Sequence, residues 1–462
     1  MTSPAGELSV AEIEAALLTR WPESKLEPSL DRIRALTDLL GDPQTAYPVI
    51  HITGTNGKTS TARMIESLLR GFGLRTGLFT SPHLETLRER ICFDGEPIDS
   101  ERFVETYRDV APYLDLVDAT SESEGGPRLS YFEVMVGLAY AAFAEAPVDV
   151  AIVEVGMGGA WDATNVADGQ VAVVMPVAID HVNYLGDTLA GIAGEKAGIV
   201  KANAFAVLAQ QPVEVAEIVL RRAAEVEATV AREGLEFGLR GRLGAVGGQV
   251  LAIQGLGGLY EELFLPLIGE HQAHNAACAL AAVEAFLGGG RGELDVDVLR
   301  TGFADVRSPG RLEVVRRSPT IVLDAAHNPH GAEATAAAVG TDFGFTRLIG
   351  VLGVLSDKDA RGILAAFEPV LAEVVITTVP GPRSMDADAL AAQAVEIFGE
   401  DRVEVVPRLD DAIEAAVALA EDGADDLGGL GVLVTGSVVL AGAARQLLKG
   451  TPSQGARSRA QP

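Results

Sequence analysis

Cysteine is almost missing from this chain. Cys92 and Cys278 are the only two among 462 residues and lie far apart. That excludes a disulfide framework and makes a reducing, cytoplasmic setting the default expectation. Long apolar runs are missing too. No stretch reaches the length of a bilayer span, and Glu7, Glu12 and Glu14 interrupt the first twenty residues. Neither a membrane helix nor a signal peptide is expected. Positive charge is scarce: 36 Lys and Arg stand against 65 Asp and Glu, a formal net charge of −29. Such a balance offers no basic surface for nucleic acid or lipid. It also means that an anionic substrate must be met by local cations and metal ions, because the overall field repels it.

What the chain does have is 48% hydrophobic residues, enough to bury sizeable cores, and a length that calls for two or three domains. The runs "YPVIHIT", "RTGLFTS", "VDVAIVEVG", "VAVVMPVAID" and "AFAVLAQ" alternate with helix-like segments such as "YFEVMVGLAYAAFAEA". Continuous Val/Ile/Ala runs bounded by Gly, Asp or Pro predict strands of a mostly parallel α/β sheet buried on both faces. From about Val230 to Leu265 short alternating runs such as "GQVLAIQGLG" predict a small antiparallel excursion. Beyond "SPGRLEVV" the β/α alternation restarts with "PTIVLDAAH", "TRLIGVLGVL", "EVVITTVP", "RVEVVP" and "GVLVTGSVV". The expected division is therefore 1–307 and 308–450, with a disordered tail at 451–462. A monomer is the default.

The stretch "HITGTNGKTSTARMIESLLRGFG" (51–73) climbs from an apolar run through a Gly-rich turn into a helical pattern. Strand, glycine turn, then Lys-Thr at a helix start is phosphate-binding architecture. Gly54 and Gly57 let backbone N–H groups turn inward, and the helix N-terminus adds positive potential. Lys58 reaches the β- and γ-phosphates, and the Thr59 hydroxyl joins a Mg²⁺ shell. Only Thr55 and Asn56 separate the two glycines, where the common pattern has four residues. The competing reading is a plain strand–helix turn capped by Thr59 or Ser60.

"VAIVEVGMGG" puts Glu154 inside an apolar strand, where a carboxylate needs a partner. A salt bridge to Arg or Lys is one solution; a Mg²⁺ ion, which prefers oxygen, is the other. "VAVVMPVAIDHVNYLG" ends a second predicted strand at Asp180-His181. The crevice beyond the carboxyl ends of parallel strands is where ligands sit. All seven histidines (His51, His83, His181, His271, His274, His327 and His330) fall at or beside such predicted strand ends or Gly/Asn-rich signatures. In "GEKAGIVK", Lys196 reads either as a solvated surface lysine or as a cation for phosphate.

Taken together, the motifs closely resemble the folylpolyglutamate synthase/dihydrofolate synthase family of the Mur ligase superfamily. They are "GTNGKTS", "TSPHL", "LSYFE", "EVGMGGAWDATN", "IDHVNYLG", "GEKAGI", "GEHQAHNAACAL", "SPGRLE", "DAAHNPHG" and "TGS", in the family's order and across nearly the whole chain. The resemblance implies a P-loop ATPase domain of Mur ligase type followed by a smaller Rossmann-like domain. It implies ATP as co-substrate, two Mg²⁺ ions, and amide formation between a pteroate or folate carboxylate and L-glutamate; on K⁺ it is silent. By position, Thr55, Asn56, Gly57, Lys58 and Thr59 match the triphosphate loop. Ser81, Glu154 and His181, with Thr59, match magnesium ligands, and Lys196 matches a lysine that is carbamylated in the family and then serves the second ion. Asn275, Arg311 and Asp324 match ATP-contacting positions. Ser130, Tyr131, Phe132 and Glu133 with Trp161, Asp162 and Ala163 match pterin-binding segments. Pro28, Leu30 and Arg32 match an N-terminal loop that closes on the pterin. His327 and Ser437 match positions implicated in glutamate handling. One departure stands out: bifunctional bacterial members usually carry Arg after the "GG", and here that residue is Ala160.

The chemistry explains why such parts are needed. A carboxylate oxygen must be phosphorylated before an amine can displace it, which brings two anions together. Metal ions, Lys58 and Arg311 supply the positive charge. A second domain closing over the acyl phosphate would exclude water. Two other functions compete: a murein-precursor ligase, for which the P-loop starts too near the N-terminus to leave room for a preceding UDP-sugar domain, and a non-catalytic nucleotide-binding module, against which Arg311, Asp324 and His327 count.

Overall fold

In a computed structural model, residues 8–20, 28–422 and 429–449 are described; the tail expected at 451–462 lies outside them. The chain divides into two compact units. One runs to Pro266 and includes His271–Arg307; the other comprises Leu267–Glu270 and the chain from Ser308 onward.

The first unit is built on eight strands: β1 (Val49–Thr53), β2 (Thr76–Phe79), β3 (Ile91–Phe93), β4 (Glu96–Pro97), β5 (Val150–Glu154), β6 (Val171–Val174), β7 (Phe205–Leu208) and β8 (Thr229–Arg232), in the order β4-β3-β2-β5-β1-β6-β7-β8. Pairing is parallel from β2 to β8, and β3 and β4 add an antiparallel edge. Every residue of β1, β5 and β6 is buried, the outcome expected of strands covered on both faces. Helices Asp31–Leu39, Ser100–Ser123 and Tyr131–Glu145 close one apolar cluster with Val49, Phe79 and Val153. Helices Leu189–Ala197 and Val213–Glu225 close another with Val174 and Leu208.

Strand order decides what meets at the carboxyl ends. β1 lies between β5 and β6, with Ile52 opposite Glu154 and Thr53 opposite Val174. β2 flanks β5 on its other side. Residues leaving β1, β2, β5 and β6 therefore emerge side by side, the usual crevice for a ligand.

The antiparallel excursion is β9 (Gly238–Ala245), β10 (Gly248–Gln254) and β11 (Leu259–Leu265). It begins at Gly238, not near Val230: β8 belongs to the parallel sheet, where Ala206 pairs with Val230. A short alternating run alone does not say which sheet a strand joins.

The second unit holds β12 (Glu313–Arg317), β13 (Thr320–Leu323), β14 (Arg347–Leu352), β15 (Glu373–Ile376), β16 (Val403–Val405) and β17 (Leu430–Thr435), in the order β12-β13-β17-β14-β15-β16. Only β12 runs antiparallel. Among the described residues no helix is long and apolar enough to cross a membrane.

Candidate active site

Gly54 and Gly57, at φ +147° and +86°, carry the loop from β1 into helix Lys58–Gly71. Neither tolerates a side chain. A Cβ on Gly54 would lie 2.6 Å from Met175 Cβ, and one on Gly57 would lie 2.6 Å from Asn275 Oδ1. The helix has Gly57 at its N-cap and no side-chain cap, so Thr59 and Ser60 are not capping residues. Instead the Thr59 hydroxyl reaches both Glu154 oxygens, at 2.9 and 3.1 Å. Glu154 is 1% exposed and also accepts from the Ser81 amide at 3.3 Å. The hydroxyl, the carboxylate and the start of the "SPHL" loop are thus joined directly.

Two ammonium groups converge on one carbonyl. Lys58 Nζ donates to Gly54 O at 2.9 Å and to Thr55 O at 3.2 Å, and Lys196 Nζ donates to the same Gly54 O at 3.0 Å. Lys196 is 4% exposed, so the solvated-lysine reading fails. Burial, then the nearby Lys58 charge, pulls its pKa down to about 7, against the opposing pull of Asp180 and Asp162. Thr55 braces its surroundings: its hydroxyl bonds Ala178 O at 2.9 Å and the Ala178 amide at 3.0 Å. That contact holds the segment leading to His181 against the loop. β6 itself ends at Val174, so Asp180 and His181 stand in a connection and not at a strand end as the apolar run suggested. His181 adopts φ +54°, an uncommon conformation for a residue with a side chain, and its amide bonds Asp180 Oδ1 at 2.7 Å.

His51 departs furthest from expectation. It sits in the middle of β1 with no exposure, its Nε2 2.9 Å from the Thr164 hydroxyl. Thr164 in turn donates to Asp162 Oδ1, so the imidazole donates and the chain runs His51–Thr164–Asp162. Burial, with Lys201 adding, pushes the His51 pKa down to about 3. It is a neutral structural histidine. Asp162, 3% exposed, is pushed up to about 6 by burial although Met157 and Thr164 amides and the Thr164 hydroxyl bond it.

The segments matched to pterin binding come together within this unit. Ser130 and Glu133 form a capping box at the start of helix Tyr131–Glu145, and Arg32 Nε ties Glu133 to the N-terminal segment at 3.1 Å. Leu30 precedes helix Asp31–Leu39 and packs into the adjoining cluster, whereas Pro28 is exposed. The Phe132 ring lies against Gly156, where a Cβ would be 2.4 Å from Cζ, and 5.9 Å from the Phe79 ring. Trp161 lies 3.1 Å from the Cβ position of Gly158, and the buried Ala163 opens the short helix Ala163–Val166 capped by Asp162. Gly159 admits the lysine's backbone: a Cβ there would be 2.4 Å from Glu195 O and 3.0 Å from Lys196 Cα. The glycines after Glu154 are thus needed by Phe132, Trp161 and Lys196 in turn.

Several supporting residues escaped the motifs. Glu89 accepts the amides of Leu84, Glu85 and Thr86 and so shapes the "SPHL" loop. Arg90 donates to His83 Nδ1 at 3.0 Å and stacks over Tyr131 at 5.0 Å. Inside the quoted "GEHQAHNAACAL" motif, Gln272, to which no role was given, bonds Ser60 and orients Asn275. The acidic and basic pair after "TSPHLETL" was the one available signal for Glu89 and Arg90.

In the second unit, Asp324 is buried at the end of β13 and accepts from the Leu312 and Ala326 amides and the Thr335 hydroxyl. It fixes the turn that carries Arg311. His327 Nδ1 donates to Ala325 O at 3.0 Å. The buried Ser437 follows β17, which pairs with β13, and the Gly436 amide bonds Ala326 O at 3.1 Å. His327 and Ser437 therefore emerge from adjacent strand ends.

The donor set suits Mg²⁺. Among the described residues no three His, Cys, Asp or Glu side chains gather into a cage. One carboxylate, one hydroxyl and a phosphate loop is what an ion held mainly by nucleotide phosphates requires. In the structure Lys196 is a donor, so it fits a cation only after conversion to an anionic group.

Comparison with known proteins agrees with this layout. Residues 130–283 match the Mur ligase middle domain, and residues 310–438 the Mur ligase glutamate ligase domain. The Mycobacterium tuberculosis dihydrofolate synthase/folylpolyglutamate synthase is 52% identical over 461 residues, covering 96% of this chain and 95% of that protein. The M. tuberculosis folylpolyglutamate synthase structure with ADP and AMPPCP superposes with a TM-score of 0.91, at 52% identity, over 96% of this chain and 99% of that one. Escherichia coli FolC in complex with DHPP and ADP gives 0.82 at 30% identity over 97% and 99%. The chain belongs to the dihydrofolate synthase/folylpolyglutamate synthase family.

Proposed function

We propose that this protein is an ATP-dependent ligase that adds L-glutamate to a folate and to dihydropteroate, releasing ADP and phosphate. The observation that carries the reading is the Thr59–Glu154 link at the mouth of a phosphate loop, with two lysines on the adjoining carbonyl. Loop amides and the helix N-terminus hold the ATP phosphates, and Lys58 moves from Gly54 and Thr55 to meet their charge. Thr59, Ser81, Glu154 and His181 would hold Mg²⁺, which when bound neutralises charge on the phosphate oxygens. Lys196, its pKa pulled down to about 7 by burial and by Lys58, is placed to lose its proton and add CO₂: the amine nitrogen bonds the carbon, a second proton leaves, and the donor becomes an anionic oxygen ligand.

Phe132, Trp161 and Ala163 offer apolar walls for a pterin, and Ser130, Glu133, Arg32 and Asp162 its polar frame. The folate carboxylate attacks the γ-phosphate, ADP leaves, and the glutamate amine displaces phosphate from the acyl phosphate. Arg311 and Asn275 would serve the nucleotide, and His327 and Ser437 the incoming glutamate. A cytoplasmic monomer fits these small-molecule substrates.

The test is acceptor exchange. ADP release should require L-glutamate together with tetrahydrofolate or dihydropteroate, and a UDP-linked peptide precursor should not substitute. Running wild type beside Ala160→Arg measures what the missing guanidinium means for dihydropteroate. Release that ignores the acceptor overturns the reading.

A further inference from the structure

The line His51–Thr164–Asp162 is more polar than the fold around it requires. The rest of β1 is Val49, Ile50, Ile52 and Thr53, all buried, with β5 and β6 paired on either side. An apolar side chain at position 51 would pack there and leave no polar atom behind. The histidine does leave one: its Nδ1 is buried with no hydrogen-bond partner among the described residues. Such an orphaned acceptor works against folding. Thr164, with no exposure, and Asp162 extend the same polar line through the interior.

What the line achieves is directional. The neutral imidazole of His51 has one N–H, and it lies on Nε2, because the Thr164 hydroxyl must give its own proton to a carboxylate. Thr164 is fixed from its other side too. Its carbonyl accepts from the Tyr140 hydroxyl at 2.7 Å, and the Tyr47 hydroxyl holds the Tyr140 carbonyl at 3.1 Å. Asp162 Oδ1 is then filled twice, by the Thr164 hydroxyl and by the Thr164 amide at 3.0 Å. Oδ2 accepts the Met157 amide at 2.9 Å and, among the described residues, nothing else. Each carboxylate oxygen has two lone-pair directions, so one direction on one oxygen is left for a ligand. The strand that carries the phosphate loop is thereby tied, through Thr164, to the segment that carries Trp161 and Ala163.

We propose that His51 and Thr164 are positioning residues for acceptor binding, holding the Asp162 carboxylate so that Oδ2 alone is presented to the folate or dihydropteroate. Without the Thr164 hydroxyl, Oδ1 keeps only one of its two donors and the carboxylate turns more freely about its side-chain bonds. The acceptor then meets several orientations of Asp162 where it now meets one. The inference rests on the placing of Asp162 in the acceptor's polar frame, and its test separates the two.

The test is a double-mutant cycle on steady-state ligation, with tetrahydrofolate as the varied acceptor and thermal unfolding measured alongside. Thr164→Val removes the hydroxyl and little volume. It should raise the KM for tetrahydrofolate about tenfold, as the loss of a hydrogen bond to a charged group does, while kcat and the KM for ATP hold. Thr164→Ser should restore most of the loss. His51→Leu should follow Thr164→Val, and His51→Gln, whose amide nitrogen stands in for Nε2, should follow Thr164→Ser; this pair carries the comparison if Thr164→Val does not fold. In an Asp162→Asn background Thr164→Val should add nothing further, because both changes act on one carboxylate. A raised acceptor KM in Asp162→Asn beside an unchanged one in Thr164→Val overturns the inference and leaves Asp162 in the acceptor frame. Additive effects, or equal rises in the KM for ATP and for tetrahydrofolate, overturn it too and mark a merely structural line. An unchanged acceptor KM in Asp162→Asn removes Asp162 from that frame, and the inference with it.

Discussion

Gly159→Ala isolates the contact on which Lys196 depends. The new Cβ would sit 2.4 Å from Glu195 O, 3.0 Å from Lys196 Cα and 3.2 Å from Glu195 C. All three neighbours are backbone, so no side chain can swing aside. To restore a separation of 3.0–3.4 Å, the end of helix Leu189–Ala197 must retreat by roughly 0.6–1.0 Å. The Ala160 amide, which donates to Glu195 O at 2.8 Å, is strained by the same movement. Overpacking of this kind costs about 1–3 kcal/mol, measurable by urea unfolding. Turnover should fall further than stability suggests, because a shift of about 1 Å in a positioned group costs on the order of a hundredfold. Gly194→Ala is the control: it lies inside the same helix with nothing within 4 Å of its Cβ, and should stabilise by about 0.5–1 kcal/mol. Wild-type turnover and stability in Gly159→Ala would refute the claim that this glycine seats Lys196.

Two further perturbations probe the buried charges. Glu154→Gln keeps the shape and an acceptor for Thr59 but removes the charge. Metal-free ADP affinity and melting temperature should hold, while the gain in nucleotide affinity on adding Mg²⁺ should drop about 10–100-fold; an unchanged Mg²⁺ effect excludes Glu154 as a ligand. His51 titrates near 6.5 when unfolded and near 3 when folded, so the unfolded chain binds more protons between those values. The stability it contributes is present above pH 6.5 and is lost as pH falls toward 3. Relative to His51→Gln, wild type should lose about 2 kcal/mol between about pH 7 and about pH 5; parallel curves would show that His51 is not held neutral.

The phosphate loop, Glu154 and the alternation of strands and helices were readable from sequence because each is local: a few consecutive residues carry the turn, the helix start or the buried run. Features set by packing were not. His51 looks like any histidine near a glycine turn until β5 and β6 close on both sides of β1. Lys196 reads as a surface residue until its helix settles on Gly159. The apolar run through Met175 and Val177 overstates β6, because Thr55 captures the chain there with side-chain bonds that no periodicity records.

The central claim is that the folate carboxylate is activated by taking the γ-phosphate of ATP. It is tested most directly with an acceptor whose reacting carboxylate carries oxygen-18, by mass spectrometry of the phosphate released during turnover with L-glutamate. The account predicts a single labelled oxygen in each phosphate formed. Unlabelled phosphate, with the carboxylate oxygen that leaves on amide formation recovered in water instead, would contradict it.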